Sequence, residues 1–426
     1  MKFIAKLKQI WHDHDLRRKI LFVVGLLLVF RIAAHIPVPG VNTEALRQLF
    51  NSNAILGLLN IFSGGGMSNF SLVALGVSPY ITASIIIQLL TMIVPALEEM
   101  SKEGESGQRK LNQYTRLLTV PLALMQSYAM IKLLQQSQRG IIGILDLKQY
   151  ILTILTLTAG TIFLMWLGEL ISEKKVGNGT SLIIFAGIVS GIPTAIQRTL
   201  ATFSLDQIIP VASFLILIII TVAGVVIITE GQRNIPVSYA KRIRGNRMYG
   251  GYDTHLPLKV NQAGMIPIIF AISIVLFPTL IAQFFTRADS NFLKRIAEFT
   301  INLFQNQIFY GIIYFILVFA FTYFYTAVVF HPTQIADNLQ KQGGFVPGIR
   351  PGKQTADYLS QVSVRIMLAG ALSLGLIAVL PLIIQPLTGM TTMAVSGASL
   401  LIVVSVVLET VRQIDSQLVM RDYEGL

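Results

Sequence analysis

The sequence predicts an all-α integral membrane protein with ten transmembrane helices. Hydrophobic residues make up 53% of the 426 residues and charged residues only 13%, whereas a soluble domain carries roughly 25% charged residues. The apolar residues form separate blocks with basic or Gly/Pro-rich connections, and the positive charges favour one side of the membrane. Too little charge remains to cover a water-soluble fold, so much of the surface must face lipid.

Ten blocks are long and apolar enough to be spans, because a transmembrane helix needs about 20 mostly apolar residues. The predicted spans are Ile20–Ile36, Phe70–Pro95, Leu117–Gln136, Ile151–Ile171, Ser181–Phe203, Ile208–Thr229, Gln262–Phe285, Gln307–Phe330, Ser363–Ile384 and Thr391–Val411. The first block follows a basic stretch, as in a signal peptide, but it lacks a small-residue cleavage site. We therefore predict that it is retained as a span.

The residues before the first span have apolar side chains at helical spacing between lysines. These apolar residues are Phe3, Ile4, Leu7, Ile10 and Trp11. Such a pattern predicts a short amphipathic helix on the membrane surface. A solvated basic tail is the alternative interpretation of residues 1–19.

The orientation follows from the positive charges, because Lys and Arg collect on cytoplasmic loops. The N-terminus, the C-terminus and every second loop together carry 23 Lys and Arg residues, against 7 on the other side. This asymmetry predicts that both termini are cytoplasmic. It also supports the number ten, since a miscount by one span would scramble the alternation.

The ionisable residues inside the spans disfavour an ion-coupled transporter. All of them lie within about two turns of a span end, where their charged groups can reach the interface. These residues are Arg31, Lys132, Glu169, Arg365 and Glu409. A charge at mid-bilayer would cost about 2.5–3.5 kcal/mol and would mark an ion or proton pathway.

The sequence also lacks the motifs of an enzyme, a metal site or a cofactor site. It has no Cys and no HExxH motif. The run Gly352-Lys353-Gln354 resembles the end of a P-loop, but Pro347 replaces the first glycine and Gln354 replaces Ser or Thr. An intramembrane serine protease at Ser396 would need a mid-span His as its base. We therefore predict no enzymatic activity, no cofactor and no metal.

The stretch before the second span is unusual. It reads LGLLNIFSGGGMSNF over residues 56–70, which is too short to span and too apolar for a solvated loop. It is predicted to fold back into the bundle as a re-entrant segment, with a surface loop as the alternative. The second span itself contains Ser78, Thr82, Ser84 and Gln88. These polar side chains indicate either an aqueous path or hydrogen bonds between helices.

Two long connections on the cytoplasmic side, residues 230–261 and 331–362, are basic and rich in Gly, Pro and aromatic residues. Their basic residues are Arg233, Lys241, Arg242, Arg244, Arg247, Lys259, Lys341, Arg350 and Lys353. Their length and composition are typical of docking surfaces for a cytoplasmic partner, either an acidic protein or RNA.

Long runs across the chain resemble the SecY family, the central channel subunits of the bacterial Sec protein-translocation system. They include RIAAHIPVPG (31–40), NIFSGGG (60–66), LGVSPYITASIIIQLLT (75–91), EGESGQRKLNQYTR (103–116), GNGTSLIIFAGIVSGIP (177–193), THLPLKVNQAGMIPIIFA (254–271) and PTQIADNLQKQGGFVPGIRPGKQTADYL (332–359). The resemblance implies two pseudo-symmetric five-helix halves, residues 1–203 and 204–426, around a central hourglass pore.

The resemblance also implies roles for individual residues. An aliphatic pore ring would consist of Val77, Ile81, Ile184, Ile269 and Ile402. The plug near residues 56–69 would include Leu58, Asn60, Phe62, Gly64, Gly65, Gly66 and Asn69. Gln88 and Asn261 would lie at a lateral gate, which spans two and three form with spans seven and eight. The residues for partner docking would be Lys241, Arg242, Arg244, Arg247, Arg350 and Lys353. Thr180 departs from the family, which often has Ile there.

The implied function is to pass unfolded secretory polypeptides across the cytoplasmic membrane and to release hydrophobic segments sideways into lipid. The implied partners are the small membrane subunits SecE and SecG, the SecA motor ATPase, the ribosome, precursor proteins and the lipid bilayer. A small-solute secondary transporter is the alternative, and a mid-span charge or ion site would distinguish it.

Overall fold

A computed structural model describes residues 9–39, 41–52, 60, 63–136, 146–201, 208–239, 242–244, 247–249, 253–285, 290–388 and 397–424. The helices are α1 His14–Ala33, α2 Thr43–Ser52, α3 Ser78–Ile93, α4 Pro95–Lys102, α5 Glu105–Gln136, α6 Leu147–Glu173, α7 Gly179–Ala201, α8 Ile208–Glu230, α9 Ile266–Phe285, α10 Asn291–Gln305, α11 Gln307–Val329, α12 Pro332–Lys341, α13 Lys353–Thr388 and α14 Gly397–Glu424. The strands are β1 Gln232–Tyr239, β2 Arg242–Arg244, β3 Arg247–Tyr249, β4 Asp253–Lys259 and β5 Gly344–Phe345.

Each of the ten predicted spans overlaps one long helix. By length and composition alone, four helical stretches of the described chain can cross a membrane, namely Leu147–Glu173, Val211–Glu230, Gln307–Lys341 and Lys353–Leu380. The pair α3 and α4, which is bent by 101°, gives a fifth if it is taken as one span. The chain is thus a helical membrane protein with several apolar helices, and the number ten stays a prediction.

The second predicted span begins in the wrong place. Residues 70–77 form turns, and the helix starts only at Ser78. Phe70 has a φ of 44° and Gly76 a φ of 60°, which is left-handed backbone that no helix can contain. Pro79 then sits in the first turn of α3, where its missing N–H costs no hydrogen bond. The apolar run therefore contains a buried turn followed by a helix.

The N-terminal prediction is tested only in part, because residues 1–8 lie outside the described residues. Residues 9–12 are helical, and Trp11 is exposed. Helix α1 then begins at His14, six residues before the predicted span. The Oδ1 atom of Asp13 accepts hydrogen bonds from the backbone N–H groups of Asp15 and Leu16, which is the bonding expected of an N-cap residue.

The chain divides into two compact units. Unit 1 comprises Met1–Gln207, Leu276–Gln305 and Thr391–Leu426, and unit 2 comprises Ile208–Val275 and Asn306–Met390. This partition follows contacts within the chain rather than symmetry. The division into halves at residues 203 and 204 stays a prediction.

Helix α6 is the centre of unit 1, since it packs against α1, α3, α5 and α7. Its side chains Leu157, Leu164, Leu167 and Ile171 are almost fully buried. Gly160 on the same helix lets another backbone segment approach closely, because a Cβ there would lie 1.9 Å from the carbonyl oxygen of Leu72. The turn that precedes α3 is therefore packed directly against the central helix.

In unit 2, the long helix α13 packs against α8, α11 and α12. Helix α8 exposes large aliphatic side chains, among them Ile209, Ile219 and Ile227. Side chains of this kind suit a lipid environment, which agrees with the apolar composition of the helix.

Candidate functional site

The glycine-rich segment before α3 is buried within unit 1. Ser63, Met67 and Phe70 are each at most 5% exposed, and Gly64 and Gly66 are buried as well. For the described residues 63–70, the alternative of a surface loop is therefore wrong. Of the candidate plug residues, Leu58 and Phe62 lie outside the described residues.

Asn60 organises this segment through its side chain and its backbone. Its Oδ1 atom accepts a hydrogen bond of 2.8 Å from the N–H of Ser68, and its carbonyl oxygen accepts one of 2.8 Å from the N–H of Gly65. Asn69 is held from outside the turn, because Arg47 Nη2 donates to its Oδ1 atom over 2.7 Å. Among the described residues of the segment, Asn60 is thus hydrogen-bonded to Gly65 and Ser68, and Asn69 to Arg47.

Gly64 is the point at which the segment fits closely against helices α1 and α7. Its φ is +68°, and a Cβ at this position would lie 2.6 Å from Cζ of Phe30 and 3.0 Å from Cα of Gly187. Arg31 Nη1 donates a hydrogen bond of 2.6 Å to its carbonyl oxygen. Only glycine suits this position, and Arg31 attaches the segment to α1.

The five candidate ring residues are all buried. Val77 and Ile81 lie one turn apart at the start of α3, and their exposed fractions are 2% and 8%. Ile184 on α7 and Ile402 on α14 are both 0% exposed, and these two helices pack together. Ile269 on α9 is 7% exposed and belongs to unit 2. Side chains that face lipid would be exposed in the isolated chain, so the burial disfavours that position for them.

Thr180 belongs to a close crossing of α6 and α7. A Cβ on Gly179 would lie 1.8 Å from the carbonyl oxygen of Gly168, and a Cβ on Gly168 would lie 3.5 Å from Oγ1 of Thr180. The threonine thus lies beside the helix crossing, one turn before Ile184.

The two candidate gate residues each have a side-chain amide of which only the nitrogen is hydrogen-bonded. Gln88 Nε2 donates to Ser84 Oγ over 3.4 Å, and Asn261 Nδ2 donates to the carbonyl oxygen of Gly264 over 3.0 Å. The amide oxygen of each side chain is buried and has no hydrogen-bond partner within the described part of the chain. A buried carbonyl without a partner is costly.

Glu169 and Lys132, two of the ionisable residues near the span ends, have local partners. Glu169 forms an ion pair of 2.5 Å with Arg116, and Lys132 Nζ lies 5.9 Å and 5.8 Å from the ring centroids of Tyr128 and Tyr150. In the described residues, no group of three or more His, Cys, Asp or Glu side chains could hold a metal ion.

The two basic connections, which the sequence presents as separate loops, are joined in one sheet within unit 2. Its antiparallel strand order is β4-β1-β5. Ile235 of β1 lies opposite Leu256 of β4, and Ser238 of β1 lies opposite Phe345 of β5. The first pair connects the two arms of the 230–261 connection, and the second ties it to the 331–362 connection.

A small hydrophobic core holds this sheet against α12 and α13. Ile235 and Leu258 come from the first connection, Val346 from the second, and Leu359 and Val362 from α13. We call the strands β1, β4 and β5 together with α12 and residues 342–362 the sheet module. No strand was predicted here from the sequence, although the alternation of Ile235 and Val237, and of Leu256 and Leu258, is a strand signal.

The candidate docking residues occupy two places. Arg350 and Lys353 are exposed, and the carbonyl oxygen of Arg350 accepts a hydrogen bond of 2.9 Å from Oγ1 of the buried Thr355. Arg242 and Arg244 belong to strand β2 and Arg247 belongs to strand β3. The two strands form an antiparallel hairpin in which Arg244 pairs with Arg247. Lys241 lies outside the described residues.

Comparison with known proteins assigns the family. The sequence profile of the SecY family matches residues 71–411. A "Protein translocase subunit SecY" from Corynebacterium glutamicum is 45% identical over 446 residues, which cover 98% of both chains. The subunit of the same name from Mycobacterium tuberculosis is 43% identical over 99% of this chain and 98% of its own length. The one from Bacillus licheniformis is 45% identical over 96% of both chains.

The chain belongs to the SecY family. Solved structures agree with this assignment at the level of the fold. The chain superimposes on the structure described as "The structure of a protein conducting channel" with a TM-score of 0.64 at 17% identity, over 96% of this chain and 93% of the other. It superimposes on Sec61 in a canine ribosome–channel complex with a TM-score of 0.61 at 18% identity, over 93% and 91% of the two chains. The SecY fold therefore extends over almost the whole chain.

Proposed function

We propose that this chain is the pore-forming subunit of a protein translocase, which passes unfolded polypeptides across the membrane. The observation that carries the proposal is 43–45% identity, over nearly the full length, to proteins named as translocase subunits. The small-solute transporter receives no support from these relatives.

The proposed pore is sealed without specific chemistry. An unfolded substrate presents every kind of side chain, so a constriction must close around all of them. Aliphatic side chains can exclude water because they offer no hydrogen bonds. We assign this role to Val77, Ile81, Ile184, Ile269 and Ile402, and their burial supports the assignment.

The proposed plug is the segment near residues 56–69. In its described residues, the burial of Ser63, Gly64 and Gly66, the hydrogen bonds of Asn60 and the contact of Gly64 with Arg31 support a compact element. We propose that it closes the pore from the outer side and leaves its place when a polypeptide enters.

Gln88 and Asn261 are proposed to lie at the seam of a lateral gate, through which apolar segments leave for the lipid. Support comes from their buried amide oxygens, which have no hydrogen-bond partner within the described residues. A gate that opens toward a passing chain would give both oxygens new donors. The open state would then recover part of the cost of separating the helices.

The sheet module is proposed to face the cytoplasm and to dock the partner that supplies energy or substrate. The SecA motor ATPase and the ribosome are the candidates, and the small subunits SecE and SecG are proposed as membrane partners. The exposed Arg350 and Lys353, together with the basic hairpin, suit an acidic protein surface or RNA. We further propose ten spans, both termini in the cytoplasm, and the cytoplasmic membrane as the location.

Reconstitution tests the central proposal. The full chain with its copurified subunits is placed in lipid vesicles, and a secretory precursor, the motor ATPase and ATP are added outside. We expect the precursor to become resistant to external protease only in vesicles that contain the chain. Gradient-driven uptake of a small solute without any precursor translocation would favour the transporter instead.

A further inference from the structure

Helix α10, Asn291–Gln305, has an apolar face that is broader than the part the protein covers. Its apolar residues occupy about 200° of the helical circumference at 100° per residue, and Lys294, Glu298 and Asn302 lie on the opposite arc. Ala297 is buried at 2% exposure. Phe292, Ile296 and Phe299, by contrast, are 71%, 47% and 66% exposed.

These three side chains form one continuous stripe, because residues four and three apart lie on the same face of a helix. The stripe contains two aromatic rings and one branched aliphatic side chain. A lone exposed apolar side chain needs no explanation, but an exposed row of them on one helix marks a surface that something apolar covers.

The connection to α11 sets the depth of this helix. Only Asn306 separates the last residue of α10 from Gln307, the first residue of α11. Asn306 caps α11 by accepting hydrogen bonds from the N–H groups of Ile308 and Phe309. Ile308 is 75% exposed, so apolar surface begins within the first turn of α11. If α11 spans the membrane, the end of α10 must lie where the hydrocarbon region begins.

The charges on α10 suit the same location. Arg295 is exposed and lies at the edge of the polar face that is next to Phe299. Lys294 lies at the other edge of the polar face. An amphipathic helix with aromatic and aliphatic residues on one face and cations on the other is typical of helices that lie in the membrane interface. Cations at that level meet the phosphate groups of the lipids.

We propose that α10 is an interfacial helix that lies on the outer phospholipid surface. Phe292, Ile296 and Phe299 insert into the boundary between headgroups and acyl chains, and Lys294 and Arg295 contact lipid phosphates. The occupant of the exposed stripe is thus lipid. The inference rests on the proposed span at α11. It also anchors the connection between α9 and α11, the seventh and eighth predicted spans, to the lipid surface.

Depth measurement by spin labelling tests the proposal, and the absence of Cys from the sequence allows single-site labels. Nitroxides are placed on Phe292→Cys, Ile296→Cys and Phe299→Cys, and on Glu298→Cys and Asn302→Cys as matched controls on the polar face. The full chain is reconstituted with its copurified subunits in phosphatidylglycerol and phosphatidylcholine vesicles. The labels on the stripe should be more accessible to oxygen, which dissolves in lipid, than to a nickel chelate, which stays in water. The labels at positions 298 and 302 should be more accessible to the chelate.

Two results would overturn the proposal. Greater accessibility to the chelate at all five sites would place the helix in water. Protection of the stripe from both reagents would show that protein covers it, either a second copy or another subunit. A label at Ile312, which is 54% exposed on α11, separates the premise from the inference. A label at position 312 that lies in water would refute the proposed span at α11. A label at position 312 in lipid, together with a label at position 299 in water, would refute only the interfacial helix.

The contribution of the cations is measured separately with a fluorophore on Phe299→Cys. Spin-labelled phosphatidylglycerol should quench it more strongly than spin-labelled phosphatidylcholine. The paired change Lys294→Gln and Arg295→Gln should reduce the preference for phosphatidylglycerol by about fivefold for each lost cation. An unchanged preference would show that the headgroups do not contact these side chains.

Discussion

Arg31 Nη1 donates a hydrogen bond of 2.6 Å to the carbonyl oxygen of Gly64. The bond joins the first long helix to the glycine-rich segment proposed as the plug. A hydrogen bond from a charged donor contributes roughly 1.5–3 kcal/mol. If the segment is displaced as proposed, the contact is strong enough to influence how often it leaves its place.

Arg31→Met should loosen this segment, because it removes the donor and keeps an unbranched side chain. Loss of about 1.5–3 kcal/mol would raise the displaced population roughly tenfold to a hundredfold. Ion conductance of the reconstituted protein in planar bilayers should rise accordingly. Arg18→Met, which removes an exposed arginine from the same helix, is the matched control and should conduct like the wild type. Equal conductance of the two variants would show that Arg31 does not hold the seal.

Adding hydroxyl groups at the proposed ring should hydrate the constriction. Ile184→Thr and Ile402→Thr retain β-branching but bury a hydroxyl, at a cost of about 1–3 kcal/mol each. The double variant should conduct ions in planar bilayers more than the wild type.

Ile183→Thr supplies the control for the ring, since Ile183 is equally buried at 2% exposure and lies next to Ile184 on α7. It should destabilise the protein by about as much as either single ring substitution, without opening a path. If Ile183→Thr raises conductance as much as the ring variants do, general loosening of the helices explains the effect and the ring does not.

Arg350→Glu should impair motor-driven translocation while the protein stays folded. The side chain is exposed, so its replacement changes stability by no more than about 0.5 kcal/mol. Charge reversal against an acidic partner costs several kcal/mol, and the initial rate of precursor import should fall about tenfold or more. Lys341→Glu makes the same change at another exposed site in the 331–362 connection. A normal import rate for Arg350→Glu would exclude it from the docking surface.

The sheet module should unfold as one body. Ile235→Ala removes most of a side chain that is 1% exposed in its core, at a cost of about 2–5 kcal/mol. Hydrogen exchange should then accelerate together in residues 232–239 and 344–349. Phe345→Ala, on an exposed face of the same sheet, should leave both segments protected. Faster exchange confined to β1 would show that the two connections fold independently.

Single cysteines should settle the orientation of the chain. Gln342→Cys in the 331–362 connection and Ser290→Cys before α10 are both exposed positions. The charge asymmetry predicts that a membrane-impermeant thiol reagent reaches position 342 only from the cytoplasmic side and position 290 only from outside. Labelling of position 342 from the outer side would reverse the topology.

Much of the helical framework could be predicted from local sequence. Apolar blocks of about 20 residues mark helices regardless of what surrounds them, because backbone groups in lipid must satisfy each other within the segment. This is why each predicted span overlaps a helix. The exception at Phe70 shows the limit, since hydropathy measures apolar character and cannot distinguish a buried turn from a helix.

Tertiary structure decided how distant parts of the sequence meet. Nothing local to Gly64 indicates that Phe30, Arg31 and Gly187 surround it, and nothing local to Phe345 indicates that it pairs with Ser238. Composition and periodicity determined a basic, helical membrane protein with several apolar helices. The burial of the glycine-rich segment, and the joining of two loops into one module, depended on packing between residues far apart in the chain, which side-chain periodicity does not encode.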